Sequence, residues 1–209
     1  MIELYHCADA RSFRALWALE ELELPYTLHL LPFPPRVRSP EYLEQNPLGT
    51  IPLLVDGATR MTESAAICEY LATRYGPSPL AVAADEPDYG AWLDWLHRGE
   101  ATLTFPQTIV LRYRILEPEA RRLPQAADDY AQWFLSRLRS VDRALEGREW
   151  LCADRFTAAD ISTGYALLLA RSLKLADRFS PTVAAYWERL SARDGFIRAK
   201  AAQKVARAA

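Results

Sequence analysis

Asn46-Pro47-Leu48-Gly49-Thr50-Ile51-Pro52-Leu53-Leu54-Val55-Asp56-Gly57 is the stretch whose reading decides the fold. Pro52 opens a strand directly after a loop, where a proline has no N–H to give to a ladder. A cis peptide bond before such a proline turns the preceding backbone outward. The amide and carbonyl of Ile51 would then be free to pair with an extended peptide, as an added strand does. The same residues also read as a plain loop proline before a strand, and locally nothing decides between the two. Asp56-Gly57 closes the strand with a tight turn, and Thr59-Arg60-Met61 supplies its antiparallel partner.

Upstream, Ile2-Glu3-Leu4-Tyr5 alternates like a strand. Residues 11–24 turn helical, with Ala15, Leu16, Leu19 and Leu22 on one stripe and Pro25 just past the end. Tyr26 to Leu30 alternates again, so a strand–helix–strand unit opens the chain and its crossover predicts parallel strands. A proline-rich loop over 32–40 and a short helical piece around 41–45 lead into the quoted stretch. Downstream, residues 63–75 form a helix that stops at Gly76-Pro77. The order βαβ then ββα is the thioredoxin arrangement, and it fits within residues 1–77. Residues 78–87 read as a linker, and residues 88–209 read as all-helical. Helices are predicted over 88–116, 123–147, 157–173, 181–193 and 195–208, with Pro106 kinking or breaking the first.

The bulk numbers exclude several classes. The 209 residues are half hydrophobic, enough for a sizeable core, and the net charge of −2 offers no basic footprint for nucleic acid. No apolar run is long enough for a bilayer span, so no membrane partner is expected. MIELYH shows neither the basic nor the apolar part of a secretory signal. Cys7, Cys68 and Cys152 are widely spaced, which fits a reducing cytoplasm and argues against a disulfide framework. His6, His29 and His97 lack ligand spacing, so no metal is expected.

Thr62-Glu63-Ser64 stands immediately before an apolar helix. Such residues cap helix starts. A helix N-terminus is also an anion site, where Ser64 and the free amides take a carboxylate while Glu63 takes an ammonium group. The two readings are compatible.

Taken together, NPLGTIPLLVDG, the Glu63-Ser64 pair before a helix, and Phe156-Thr157-Ala158-Ala159-Asp160-Ile161 resemble the cytosolic glutathione transferase family, in a bacterial, theta- or beta-like form. The resemblance covers nearly the whole chain. The last segment also has a physical reading: Thr157 as N-cap, Asp160 as the reciprocal acid and Phe156 stapled on Ile161. Asp160 is therefore read as structural.

The resemblance implies a glutathione S-transferase: a thioredoxin-like N-terminal domain that binds glutathione as co-substrate, and an all-helical C-terminal domain that holds a small hydrophobic electrophile. It implies that Ile51, ahead of Pro52, pairs with the cysteinyl backbone, that Thr50 adds a polar contact, and that Glu63 and Ser64 hold the γ-glutamyl end. It implies a homodimer. The enzyme's task is to lower the thiol pKa, by a hydroxyl hydrogen bond or the positive end of the first helix. In many relatives a serine precedes an Arg-Ser-x-Arg segment; here the segment is Arg11-Ser12-Phe13-Arg14 and Ala10 precedes it. The substitutes, in order, are Ser12, Arg11, Tyr5 and Cys7, whose structural readings are an N-cap, a solvated arginine, a core aromatic and a buried thiol. Backbone amides alone are a further option. Phe105, Ile109 and Tyr113 are the expected second-substrate residues, and Arg112 is read as solvated. Rivals on the same fold are a glutathione-dependent isomerase, peroxidase or disulfide reductase; an isomerase of the maleylacetoacetate type would show Ser-Ser-Cys where Asp9-Ala10-Arg11 stands, and a reductase would want a cysteine at the helix start. A non-catalytic glutathione-binding protein is the rival from another class.

Overall fold

The computed structural model describes residues 1–205. Two compact units are present: Met1–Ala81 together with the chain from Ser191 onward, and Val82–Leu190.

In the first unit, β1 (Ile2–His6) points Ile2, Leu4 and His6 inward and leaves Glu3 and Tyr5 half-buried, as its alternation predicts. Helix α1 (Phe13–Glu21) crosses to β2 (Tyr26–Leu30), which runs parallel to β1 with Ile2 opposite Tyr26. Short helices α2 (Pro35–Arg38) and α3 (Tyr42–Gln45) follow, the first falling where the sequence predicts only a proline-rich loop. β3 (Leu53–Asp56) pairs antiparallel with β1, and β4 (Thr59–Met61) returns along β3, giving the sheet order β2-β1-β3-β4. Helix α4 (Ser64–Arg74) completes the expected thioredoxin-like arrangement.

α1 ends earlier than its apolar stripe predicts, because Glu23 enters the left-handed region (φ 51°) and the Leu24 N–H donates to the Leu19 carbonyl. Its residues from Phe13 to Leu19 are all buried, not one stripe alone. The cause is α10 (Asp194–Val205), which packs against it: Phe196 meets the rings of Phe13 and Trp17 edge-on at 5.3 and 5.0 Å. Arg193 adds a bidentate pair to the Glu21 carboxylate, both contacts at 2.8 Å. The last helix thus belongs to the first unit, although in the chain it follows the helical half. Its predicted extension through 206–208 lies outside the described residues.

The second unit contains α5 (Tyr89–Arg98), α6 (Phe105–Leu111), α7 (Pro124–Ala144), α8 (Ala158–Ser172) and α9 (Pro181–Ser191). Pro106 does not break the first of these helical runs. A wider π-helical stretch, Gly99–Thr104, joins α5 to α6 and a second, Arg112–Leu116, follows. Proline has no N–H, and its ring collides with the carbonyl one turn earlier in a regular helix. The wider turn absorbs that collision, and the Thr104 hydroxyl donates to the Gly99 carbonyl at 2.8 Å. Gly99 also lets α8 come close, since a Cβ there would strike Ser162. The Ser162 hydroxyl crosses to donate to the Leu96 carbonyl at 2.6 Å.

α8 is buried from Ala158 to Ala170 and begins with the predicted capping box. The Thr157 N–H donates to Asp160 Oδ2 at 2.8 Å, and the Ala159 N–H donates to Thr157 Oγ1 at 3.3 Å. The structure adds two donors absent from the motif: the Leu151 N–H at 3.2 Å and the Tyr186 hydroxyl at 2.7 Å, both to Asp160 Oδ1. Burial pushes the Asp160 carboxyl up to about 6, against the pull of these donors. Replacing Asp160 by Ala strands the Leu151 and Thr157 N–H groups and the Tyr186 hydroxyl and removes a fourth bond, from the Thr157 hydroxyl at 3.1 Å. Urea unfolding is expected to show a loss of about 4 kcal/mol, near 1 kcal/mol per hydrogen bond. A loss below about 1 kcal/mol would show that the donors find other partners.

Candidate functional site

The loop before β3 is held from behind. Asn46, buried at the end of α3, donates from Nδ2 to the Thr50 carbonyl at 2.8 Å, and the Tyr42 hydroxyl donates to the same oxygen at 2.8 Å. Asn46 also accepts the Leu48 N–H on Oδ1 at 3.2 Å, and its carbonyl accepts the Gly49 N–H at 2.8 Å. Gly49 sits at φ +60°, where an added Cβ would stand 2.6 Å from the Arg36 Cβ, so no other residue fits. The Ile51–Pro52 bond is cis. Ile51 lies two residues beyond the β1–β3 ladder, whose last pair is Tyr5–Leu53. No hydrogen bond of its N–H or C=O occurs among the described residues.

Glu63 and Ser64 stand at the start of α4, with the Glu63 backbone extended (φ −90°, ψ 114°). The Glu63 side chain is exposed and makes no capping hydrogen bond. Ser64 is buried, and its Oγ accepts a hydrogen bond from Arg14 Nη1 at 3.1 Å. Arg14 is itself fully buried on α1. Because the guanidinium only donates, the Ser64 hydroxyl proton remains for another acceptor. The first amides of α4 have no carbonyl one turn earlier.

The turn between β1 and α1 is the third element. The Ala10 N–H donates to the Cys7 carbonyl at 3.1 Å, with Asp9 in the left-handed region at φ 55°. Cys7, Tyr42, Ile51 and Leu53 form one buried cluster, and Tyr5 and Ala10 pack on it, so the turn and the Ile51–Pro52 segment are neighbours. Tyr5 lies flat on His29, ring centroids 4.4 Å apart. Arg11 is half-buried at the entrance to α1. Ser12 is fully buried and lies 2.8 Å from His6 Nδ1, while its Oγ accepts the Cys7 N–H at 3.2 Å. Its side chain makes no cap to α1. Burial pushes the Cys7 thiol up to about 12, so it stays protonated at neutral pH.

Phe105, Ile109 and Tyr113 lie in the second unit, one turn apart along α6 and the π-helical stretch after it. Phe105 is 54% exposed and the other two are half-buried. The Arg112 guanidinium sits 5.4 Å from the centre of the Tyr113 ring and pairs with Glu117 at 2.9 Å. Among the described residues no helix is long and apolar enough to cross a membrane. No group of three His, Cys, Asp or Glu side chains there is placed to hold a metal ion.

Four residues of this neighbourhood escape sequence reading. Tyr42 and Asn46 are one turn apart at the predicted short helix over 41–45, and Arg14 closes the Arg-Ser-x-Arg segment, but no local pattern says what their side chains meet. Gln203 has no local signal at all. It accepts from His6 Nε2 at 3.0 Å across 197 positions of sequence.

Comparison with known proteins agrees with this geometry. Residues 10–74 match the model of the glutathione S-transferase N-terminal domain. The chain is 30% identical to glutathione S-transferase hmp2 of Hypomyces subiculosus, covering 96% of this chain and 98% of the relative. It is 31% identical to glutathione S-transferase 3 of Zea mays over 79% of this chain and 77% of that one. A glutathione transferase from Methylococcus capsulatus superposes with a TM-score of 0.87 at 24% identity, over 98% of this chain and 100% of that chain. Glutathione transferase URE2P8 of Phanerochaete chrysosporium, solved with oxidized glutathione, superposes with a TM-score of 0.86 at 22% identity, over 100% of this chain and 97% of that chain. At these identities the two structures establish the fold.

Burial pushes the His6 imidazole down to about 4, despite the hydrogen bond to Gln203 and the nearby Asp9. An unfolded histidine titrates near 6.5. Between those values the unfolded chain binds the proton and the folded one does not, so stability falls as pH drops through the window. The loss from this group reaches roughly 3 kcal/mol by pH 4. Urea unfolding at a series of pH values is expected to show a shallower fall for His6→Asn than for the wild type. Parallel curves would assign the acid loss to other groups.

Proposed function

This chain belongs to the glutathione S-transferase family of enzymes, and we propose that it binds glutathione on its first unit and joins the whole tripeptide, through its sulfur, to a small hydrophobic electrophile. The observation that carries the reading is the Ile51 backbone, lying just past the end of the β1–β3 ladder at a cis proline. An extended peptide laid there gains two main-chain hydrogen bonds without displacing any. Glutathione has one ammonium and two carboxylates. The exposed Glu63 carboxylate suits the ammonium, and the Ser64 hydroxyl with the first amides of α4 suits the γ-glutamyl carboxylate. Thr50 adds a polar edge beside Ile51.

With the tripeptide so laid, its sulfur falls toward the turn at Ala10. We assign thiolate stabilisation to the positive end of α1 and to Arg11. Ser12 supports the turn instead, because the proton on its hydroxyl is drawn to His6 Nδ1. Tyr5, which packs on the same cluster as Ala10, is not given the activating role. The thiol loses its proton to solvent, and the thiolate attacks an electrophilic carbon. The new C–S bond forms as the leaving group departs with the bonding pair, or as the pair moves into an acceptor for an addition. Phe105, Ile109 and Tyr113 provide an apolar stripe for the electrophile, whose immobilisation lowers the entropic barrier. A cytoplasmic homodimer completes the proposal, as the family resemblance implies.

The test is the ultraviolet difference spectrum of glutathione added to the protein, followed across pH. A thiolate band with a midpoint below that of free glutathione is expected. Arg11→Ala should move the midpoint up by about one unit, while Tyr5→Phe leaves it in place. Glu63→Gln and Ser64→Ala should weaken glutathione binding about tenfold or more, near 1.4 kcal/mol each, without moving the midpoint. Calorimetric binding without a band would leave a protein that holds glutathione and does not activate it. No binding would sink the assignment.

A further inference from the structure

We propose that α10 tunes the thiol site, with Lys200 and Gln203 acting as positioning residues that neutralise Asp9 and clamp the turn leading into α1. The proposal rests on the reading that a thiolate forms at the start of α1.

The bonding at Gln203 is fully directed. Its Nε2 donates to Asp9 Oδ1 at 2.7 Å, so its Oε1 must face the other way. That oxygen accepts the Asp9 N–H at 3.2 Å and lies 3.0 Å from His6 Nε2. An amide oxygen only accepts, so the His6 proton sits on Nε2 and Nδ1 is bare. Nδ1 therefore draws the proton of Ser12 Oγ at 2.8 Å, in preference to the Cys7 carbonyl at 3.4 Å. Ser12 in turn accepts the Cys7 N–H. A chain of hydrogen bonds thus runs from Gln203 through His6 and Ser12 to Cys7, where the turn begins. The same Gln203 holds the far side of the turn through both the backbone and the carboxylate of Asp9.

Asp9 needs this hold. A non-glycine residue at φ 55° is uncommon and costs about 1 kcal/mol or more, so the surroundings must enforce it. Its charge is also the wrong sign. A carboxylate one residue before Ala10 raises the free energy of any thiolate forming beside that turn. Lys200 cancels the charge at close range, Nζ to Oδ1 at 2.6 Å, with its ammonium 5.7 Å from the centre of the Phe13 ring. Burial alone would raise Asp9, but the bonds from Gln203 and Lys200 outweigh it and hold the carboxyl below its usual range. The acid is therefore ionised and compensated, and the compensation comes from the end of the chain.

The experiment is the same thiolate titration on Lys200→Met, Lys200→Arg and Lys200→Met/Asp9→Asn, with Gln203→Leu as an independent variant. Lys200 is part-exposed, so its replacement leaves the core intact. Lys200→Met is expected to raise the midpoint of the bound thiol by about one pH unit, with glutathione affinity at low pH changed less than twofold. Lys200→Arg should restore the midpoint, and so should Asp9→Asn in the Lys200→Met background, because no charge is left to compensate. A structural role would move stability in all of these and the midpoint in none. A wild-type band that stays put in Lys200→Met and Gln203→Leu overturns this inference alone. A wild type that binds glutathione with no band overturns it together with the reading of thiol activation.

Discussion

The Thr50 carbonyl, held by two donors from behind, is the constraint on which the rest of the first unit depends. Asn46 and Tyr42 each contribute a hydrogen bond worth about 1 kcal/mol, and both come from the one-turn helix α3. With that oxygen occupied, the chain can only present its next residue, Ile51, to the open end of the ladder. Gly49 makes the arrangement possible, because only a residue without Cβ passes Arg36 and Leu43 at φ +60°. The site is thus a short backbone edge fixed by side chains that never face the ligand.

Buried polar groups mark the places where the fold gives up stability for geometry. Arg14, His6 and Asp160 are all withdrawn from water. An unpaired buried charge would be ruinous, and each is handled differently. Arg14 donates to Ser64 and so ties α1 to α4. His6 stays neutral, held in one tautomer between Gln203 and Ser12. Asp160 gathers donors from Leu151, Thr157 and Tyr186 and so joins the start of α8 to α9. The first two lie beside the proposed γ-glutamyl and thiol positions, whereas the third belongs to the second unit and serves its folding.

The second unit resolves a local conflict by changing helix type. Pro106 and Gly99 both weaken a regular helix, yet helical backbone runs from Tyr89 to Leu116 with two π-helical stretches. Gly99 is explained by Ser162 on α8 and Pro106 by the wider turn before it. Phe105 and Ile109 sit on α6 between the two π-helical stretches, and Tyr113 sits on the second of them.

Much of this protein was decided by sequence alone, because its strands and helices announce themselves through short-range periodicity. Tyr26–Leu30 and Thr59–Met61 fall where alternation puts them, and the Thr157–Asp160 capping box forms within four residues of chain. The motif around Pro52 and the pair Glu63-Ser64 are equally local, so their positions in the fold were legible. Tertiary structure alone decided that α10 covers α1, that Pro106 is absorbed and that Ser12 is drawn to His6. The first and third turn on a partner far along the chain, since Gln203 lies 197 residues from His6, and Arg14 likewise meets Ser64 across 50 residues. Periodicity reports which face of an element is apolar. It carries no information about which distant polar side chain will meet it, because that pairing exists only once the elements have packed.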